Sequence, residues 1–137
     1  VDWTACRKNK DLVKEVKPDK NLTASLIKSS AKKLYSESLL ELNDDTASSK
    51  ISLAYDALRE LLEASALSRG FKIYNHECYC SFLKEVVNES SLGDEFNEFR
   101  KIRNAINYYG KDVTAEEAKL TLEEMKLLIK RVKEQLL

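Results

Sequence analysis

Glycine and proline are scarce, at three and one in 137 residues. So little turn material disfavours an all-β fold, which needs a turn every few residues. Net charge is also missing: 23 basic residues balance 23 acidic ones. No global field therefore draws in nucleic acid or a membrane surface, and any such binding has to come from a local patch. No apolar run approaches the roughly 18 residues of a membrane-spanning helix, and no secretory signal opens the sequence. Three cysteines, an odd number, point to reduced thiols in a cytoplasmic protein rather than to a disulfide framework. Gly-rich phosphate loops and paired catalytic carboxylates are absent too.

What remains is helical. Hydrophobic residues make up 43% and charged residues 34% of the chain, which suits a single domain, residues 1–137, large enough to own a core. Residues 1–17 are a short helix or a packed arm, with Trp3 too large to be idle if ordered. Pro18 suits the first position of a helix, and apolar residues at Ala24, Ile27, Ala31 and Leu34, then Tyr35, Leu39 and Leu42, carry helical spacing on to about 42. The spacing predicts a central helix over 46–69. Ile51, Ala54, Tyr55, Leu58, Leu61, Leu62 and Ala66 cover most of its surface, and only a narrow polar stripe (Ser52, Asp56, Arg59, Glu60, Glu63) is left. Gly70 ends it. Asn75 is placed to cap a shorter helix to about Val87, residues 88–93 are predicted as a loop, and Asp94 opens the next helix. Thr114-Ala115-Glu116-Glu117 is a capping box before a last helix with a seam of Ala115, Ala118, Leu122, Met125, Ile129, Val132 and Leu136. That alternation fits either a coiled coil or the core stripe of a bundle. The expected fold is all-α: an up-and-down antiparallel bundle of four to five main helices.

Two clusters could carry chemistry. His76-Glu77-Cys78-Tyr79-Cys80 contains good zinc ligands. On a helix, however, Cys78 and Cys80 aim about 200° apart, which leaves Cys6 as the only further soft ligand, so no metal is expected. Buried structural cysteines and a histidine at a helix start account better for the segment. Lys126, Lys130, Arg131 and Lys133 lie in the last turns of the final helix, where its dipole favours cations.

The second cluster is the segment from Phe99 to Lys111. Arg100, Lys101, Arg103 and Lys111 occur there with no acid among them, interleaved with Asn104, Asn107, Tyr108 and Tyr109. On a helix Phe96, Phe99, Ile102 and Ile106 share one face, with Arg103 at its rim. An unpaired charge there needs a partner or a ligand. Arginine grips phosphate bidentately and tyrosine stacks on unpaired bases. Arg100, Arg103, Asn104, Asn107, Tyr108, Tyr109 and Lys111 are thus the candidate RNA- or nucleotide-binding residues. The alternative is an ordinary helix end, its cations favoured by the dipole and Gly110 as its left-handed cap.

The Arg103-Asn104 pair resembles the signature of the HEPN superfamily, small all-α bundles in which a late helix carries an arginine, a polar residue and, a few positions on, a histidine. Ala54-Tyr55 on a long helix, Gly70 at a hairpin and His76 after it are similar to the family's central hairpin, so the resemblance spans about residues 46–136. It implies a homodimer in which two motif helices meet. It also implies an RNA or nucleotide ligand, or the role of non-catalytic partner, beside a nucleotidyltransferase or in a toxin–antitoxin pair. Family nucleases use the arginine and histidine to cut RNA without metal or cofactor. Here the histidine's position is taken by Tyr108, whose ordinary pKa of about 10 suits acid–base transfer poorly. The resemblance therefore implies binding rather than cleavage, with two alternatives: a ribonuclease using Arg103 and Tyr108, or a purely structural dimerisation module.

Overall fold

The computed structural model describes residues 1–137 and is mostly helical. Four long helices carry the fold: α2 (Lys20–Leu39), α3 (Ala47–Ser68), α5 (Ser90–Tyr109) and α6 (Ala115–Leu136). Two short ones, α1 (Trp3–Lys8) and α4 (His76–Ser81), and a two-stranded sheet complete it. No helix is long and apolar enough to cross a membrane.

Helix α3 is central because almost no face of it is polar. Ile51, Ala54, Tyr55, Ala57, Leu58, Leu61, Leu62, Ala64 and Ala66 are fully buried or nearly so, packed by α2, α5, α6 and the sheet. Within the predicted polar stripe Ser52, Asp56, Arg59 and Glu63 are half-buried, but one member is covered. Glu60 is buried and pairs with Lys33 of α2, because α2 lies along that side. A second buried carboxylate, Glu37 of α2, sits 3.0 Å from Lys50 Nζ of α3 and 2.8 Å from Lys126 Nζ of α6. In α6 the seam is core: Ala118, Leu122, Met125, Ile129, Val132 and Leu136 are buried, while Ala115 is only half-buried. Thr114 caps this helix by accepting from the Glu117 N–H at 3.2 Å.

Two helix starts differ from expectation. Helix α2 starts at Lys20 rather than Pro18, since the Asp19 carboxylate caps it through the Leu22 N–H at 3.0 Å. Helix α5 starts at Ser90 rather than Asp94. Asn88 takes the left-handed conformation, φ 61°, and completes the reversal in so few residues that no loop is needed. Gly93 is consequently a helix residue, and a Cβ there would stand 2.8 Å from Lys84 Cγ and 3.0 Å from the Cys80 carbonyl oxygen. That contact lets α5 press against α4 and its extension, a π-helical turn over Phe82–Val86.

The sheet was not foreseen. Strands β1 (Val13–Glu15) and β2 (Phe71–Ile73) pair antiparallel, Val13 with Ile73 and Glu15 with Phe71. They draw the first residues over α4, where Trp3 packs edge-on against Phe71 with ring centroids 5.1 Å apart. The same docking brings Cys6 and Cys78 to a Cα separation of 6.0 Å, and they form a disulfide, contrary to the expectation of three reduced thiols. Cys80 is buried and free; it aims elsewhere, its Sγ 3.6 Å from Asn97 Oδ1.

Candidate nucleic-acid interface

The basic segment is the C-terminal half of α5, ended by Gly110 in the left-handed conformation at φ 64°. Its inner face behaves as the spacing requires: Phe96 and Phe99 are buried, and Ile102 and Ile106 pack against the core. Phe99 is thus part of the protein's own interior, and Ile106 is half-buried against it.

Arg103 lies at the rim. Its guanidinium carbon is 5.3 Å from the centroid of the Tyr55 ring and 5.5 Å from that of Tyr108, so two aromatic faces contact one cation. Nη1 donates to the Tyr108 hydroxyl at 3.3 Å. Nε is buried with no hydrogen-bond partner. Arg100 donates from Nε and Nη2 to Asn97 Oδ1 at 3.2 and 3.0 Å. Neither arginine is ion-paired: every salt bridge in the protein uses other residues. Of the other basic residues on α5 and α6, Lys101 is matched by Glu98, Arg131 by Glu95 and Lys126 by Glu37, while Lys119, Lys130 and Lys133 have no ion pair.

The two free arginines open into a cleft of about 400 Å³ between α5 and the start of α4, lined by Tyr74, Asn75, His76, Glu77, Arg100, Arg103, Asn104 and Tyr108. Of the residues nominated from sequence, Arg100, Arg103, Asn104 and Tyr108 meet there. Asn107 instead turns toward α3, where Ser52 Oγ lies 3.5 Å from its Oδ1. Tyr109 and Lys111 are exposed beyond the cleft. A larger recess, about 540 Å³, lies beside α1 and β1, but its Arg7 is already paired with Glu15 and placed over the Phe71 ring.

His76 was missed. It is the first residue of α4, fixed there because the Asn75 side chain caps the helix through the Glu77 and Cys78 N–H groups at 2.8 and 3.3 Å. Its Nδ1 is 2.9 Å from the Tyr55 hydroxyl, which puts the chain's single histidine in the same cleft as Arg103. Gly70 turns the chain back so that β2 runs along α3, and the residue that follows the Asn75 cap arrives beside Tyr55. Burial and the neighbouring Arg59 and Arg103 push the imidazole down to about 4, so it is neutral at pH 7. Burial likewise raises the Tyr55 hydroxyl well above its ordinary value, so it keeps its proton.

No group of three or more His, Cys, Asp or Glu is arranged to hold a metal, and Cys6 and Cys78 are consumed by their mutual bond. Neither a family model nor a curated protein sequence matches the chain.

Proposed function

We propose that the protein binds RNA or a nucleotide through the α4–α5 cleft, as a HEPN-like binding protein. The observation that carries this is the pair of guanidinium groups without carboxylate partners, one with a buried, unsatisfied Nε, in a cleft flanked by tyrosine. A desolvated cation without a counter-charge is costly; a phosphate would supply the charge. Tyr108 and Tyr74, both half or more exposed at the cleft, supply faces on which a base can stack. The resemblance at Arg103-Asn104 adds the possibility of a non-catalytic role beside a nucleotidyltransferase or in a toxin–antitoxin pair.

A second assignment, metal-independent ribonuclease, is favoured by one observation: a histidine does reach the cleft, from α4 rather than from the position Tyr108 holds. An imidazole held at about 4 is nevertheless a weak base at neutral pH, so cleavage is expected to be slow or absent.

Fluorescence anisotropy with single-stranded RNA separates these assignments. Binding weakens with salt, and Arg103→Ala loses about tenfold or more in affinity, the worth of a charge-assisted hydrogen bond. Intact RNA after prolonged incubation supports the binding role. Rapid metal-independent cleavage lost in both Arg103→Ala and His76→Gln makes the protein an enzyme. No retention at low salt leaves only the structural module.

A further inference from the structure

The cleft joins two unpaired guanidinium groups to a neutral imidazole, a combination with a more specific use than backbone contact. We propose that the α4–α5 cleft is a phosphomonoester site, in which Arg100 and Arg103 hold the dianion and His76 joins them as a third cation by taking up a proton. The inference rests on the assignment of the cleft to a phosphate-bearing ligand and names the phosphate.

Charge decides between the two forms of phosphate. An internal phosphodiester carries one negative charge and would leave one guanidinium uncompensated. A terminal phosphate carries nearly two at neutral pH and matches both. Arg100 keeps Nη1 outside its bonds to Asn97, and Arg103, with Nε buried, places Nη1 against the Tyr108 hydroxyl in the cleft lining. The volume of about 400 Å³ is at the small end of ligand sites, suited to one nucleotide.

The imidazole's surroundings account for the coupling. It faces Tyr55, Asp56 and Arg59 from α3, Arg100 and Arg103 from α5, and Glu77 and Tyr79 from its own helix. Three arginines near a partly desolvated ring oppose its protonation, and Asp56 only partly offsets them. A dianion between Arg100, Arg103 and the ring reverses the sign of that local field. A neutral ring whose Nδ1 accepts from the Tyr55 hydroxyl already carries its hydrogen on Nε2. A second proton makes both ring nitrogens donors, so Nδ1 then donates to the Tyr55 oxygen and the ring adds a positive charge beside the ligand. By linkage, whatever raises proton affinity on binding also raises ligand affinity when the proton is bound, by tenfold for each unit.

Two ligand sources share this chemistry, a free mononucleotide and the phosphorylated end of a single-stranded RNA. The full chain is titrated with AMP, with adenosine, and with a hexameric single-stranded RNA bearing either a 5′-phosphate or a 5′-hydroxyl. The imidazole resonances are followed by NMR against pH; only one histidine is present, so assignment is immediate. The phosphorylated ligand of at least one pair should bind about tenfold or more tightly than its unphosphorylated counterpart, and its saturation should raise the ring's titration midpoint from about 4 to about 6 or above, the range in which a monoester is largely a dianion. Tight binding of AMP identifies a mononucleotide site; tight binding of the phosphorylated RNA alone identifies an RNA end. In His76→Gln the strengthening of binding as pH falls should disappear. Equal binding within both pairs, AMP against adenosine and phosphate- against hydroxyl-ended RNA, overturns the monoester inference while leaving binding to the cleft intact. A midpoint that stays put at saturation overturns the role of His76. Failure of all four ligands to bind overturns the inference together with the assignment beneath it.

Discussion

Replacing Glu37 by leucine is expected to cost more than any exposed ion pair could. The carboxylate is fully buried and lies within 3.0 Å of Lys50 Nζ, itself only 7% exposed. Breaking a buried pair on one side typically costs about 3–5 kcal/mol, because the other charge is left uncompensated. Lys50 retains two partial compensations, since its ammonium also donates to the Glu37 and Leu40 carbonyl oxygens at 2.7 Å each, at the negative end of α2. The low end, about 3 kcal/mol, is therefore expected. At about 2.1 cal/mol/K per residue, 137 residues unfold with an entropy near 290 cal/mol/K, so Tm should fall by about 10 °C. Lys126 also reaches Glu37, but its side chain is 46% exposed, and Lys126→Met should cost less than about 1 kcal/mol. In the double variant Glu37→Leu/Lys50→Met neither charge remains, and at least half of the loss should return. Thermal and urea unfolding of wild type, Glu37→Leu, Lys50→Met and the double variant measure the cycle. If Glu37→Leu shifts stability by less than 1 kcal/mol, or the double variant is no better than the single, Lys50 does not depend on this carboxylate.

Stability should also respond to His76. Its folded value of about 4 lies below the ordinary 6.5, so the unfolded chain binds the proton first. The contribution is complete above about pH 6.5 and is lost as pH falls toward 4. The full shift would correspond to about 3 kcal/mol, and partial exposure of the ring to solvent reduces the expectation to about 1–2 kcal/mol. Urea titrations at pH 7.5 and 4.5 should show a smaller difference in His76→Gln than in wild type by that amount, and identical differences would contradict the ring's burial as a neutral group. The homodimer implied by the HEPN resemblance should appear in light scattering as twice the 15.7 kDa chain mass; a single chain mass at all micromolar concentrations would exclude it.

Sequence disclosed what neighbouring residues decide among themselves. The α6 seam, the Thr114 and Asn75 caps, the left-handed Gly110 and the inward face of α5 all follow from spacing and local chemistry within one helix. The features that escaped join distant segments. Val13 finds Ile73 and Cys6 finds Cys78 only once β1 has crossed the end of α3, and strands of three residues carry no alternation to betray them. Glu60 appeared to be surface because a carboxylate's partner on another helix, Lys33, has no signature in the periodicity of α3. The site divided the same way. Arg100, Arg103, Asn104 and Tyr108 stood out as one stretch, whereas His76 entered through a hydrogen bond to Tyr55, 21 residues earlier.

The Cys6–Cys78 bond also has a mechanical meaning. A force applied between the two ends of the chain bypasses everything between those cysteines, because the load passes directly through the disulfide. Only residues 1–5 and 79–137 can be drawn out, roughly 220 Å of contour against about 480 Å for an unbridged chain. The boundary runs through the cleft. Tyr55 and His76 lie inside the shielded loop, and Arg100, Arg103 and Tyr108 lie on the extensible part. Tension would peel the arginines from their aromatic and imidazole neighbours while α2 and α3 stayed closed by a covalent ring, so the capacity to hold a ligand would yield to load before the α2–α3 pair did.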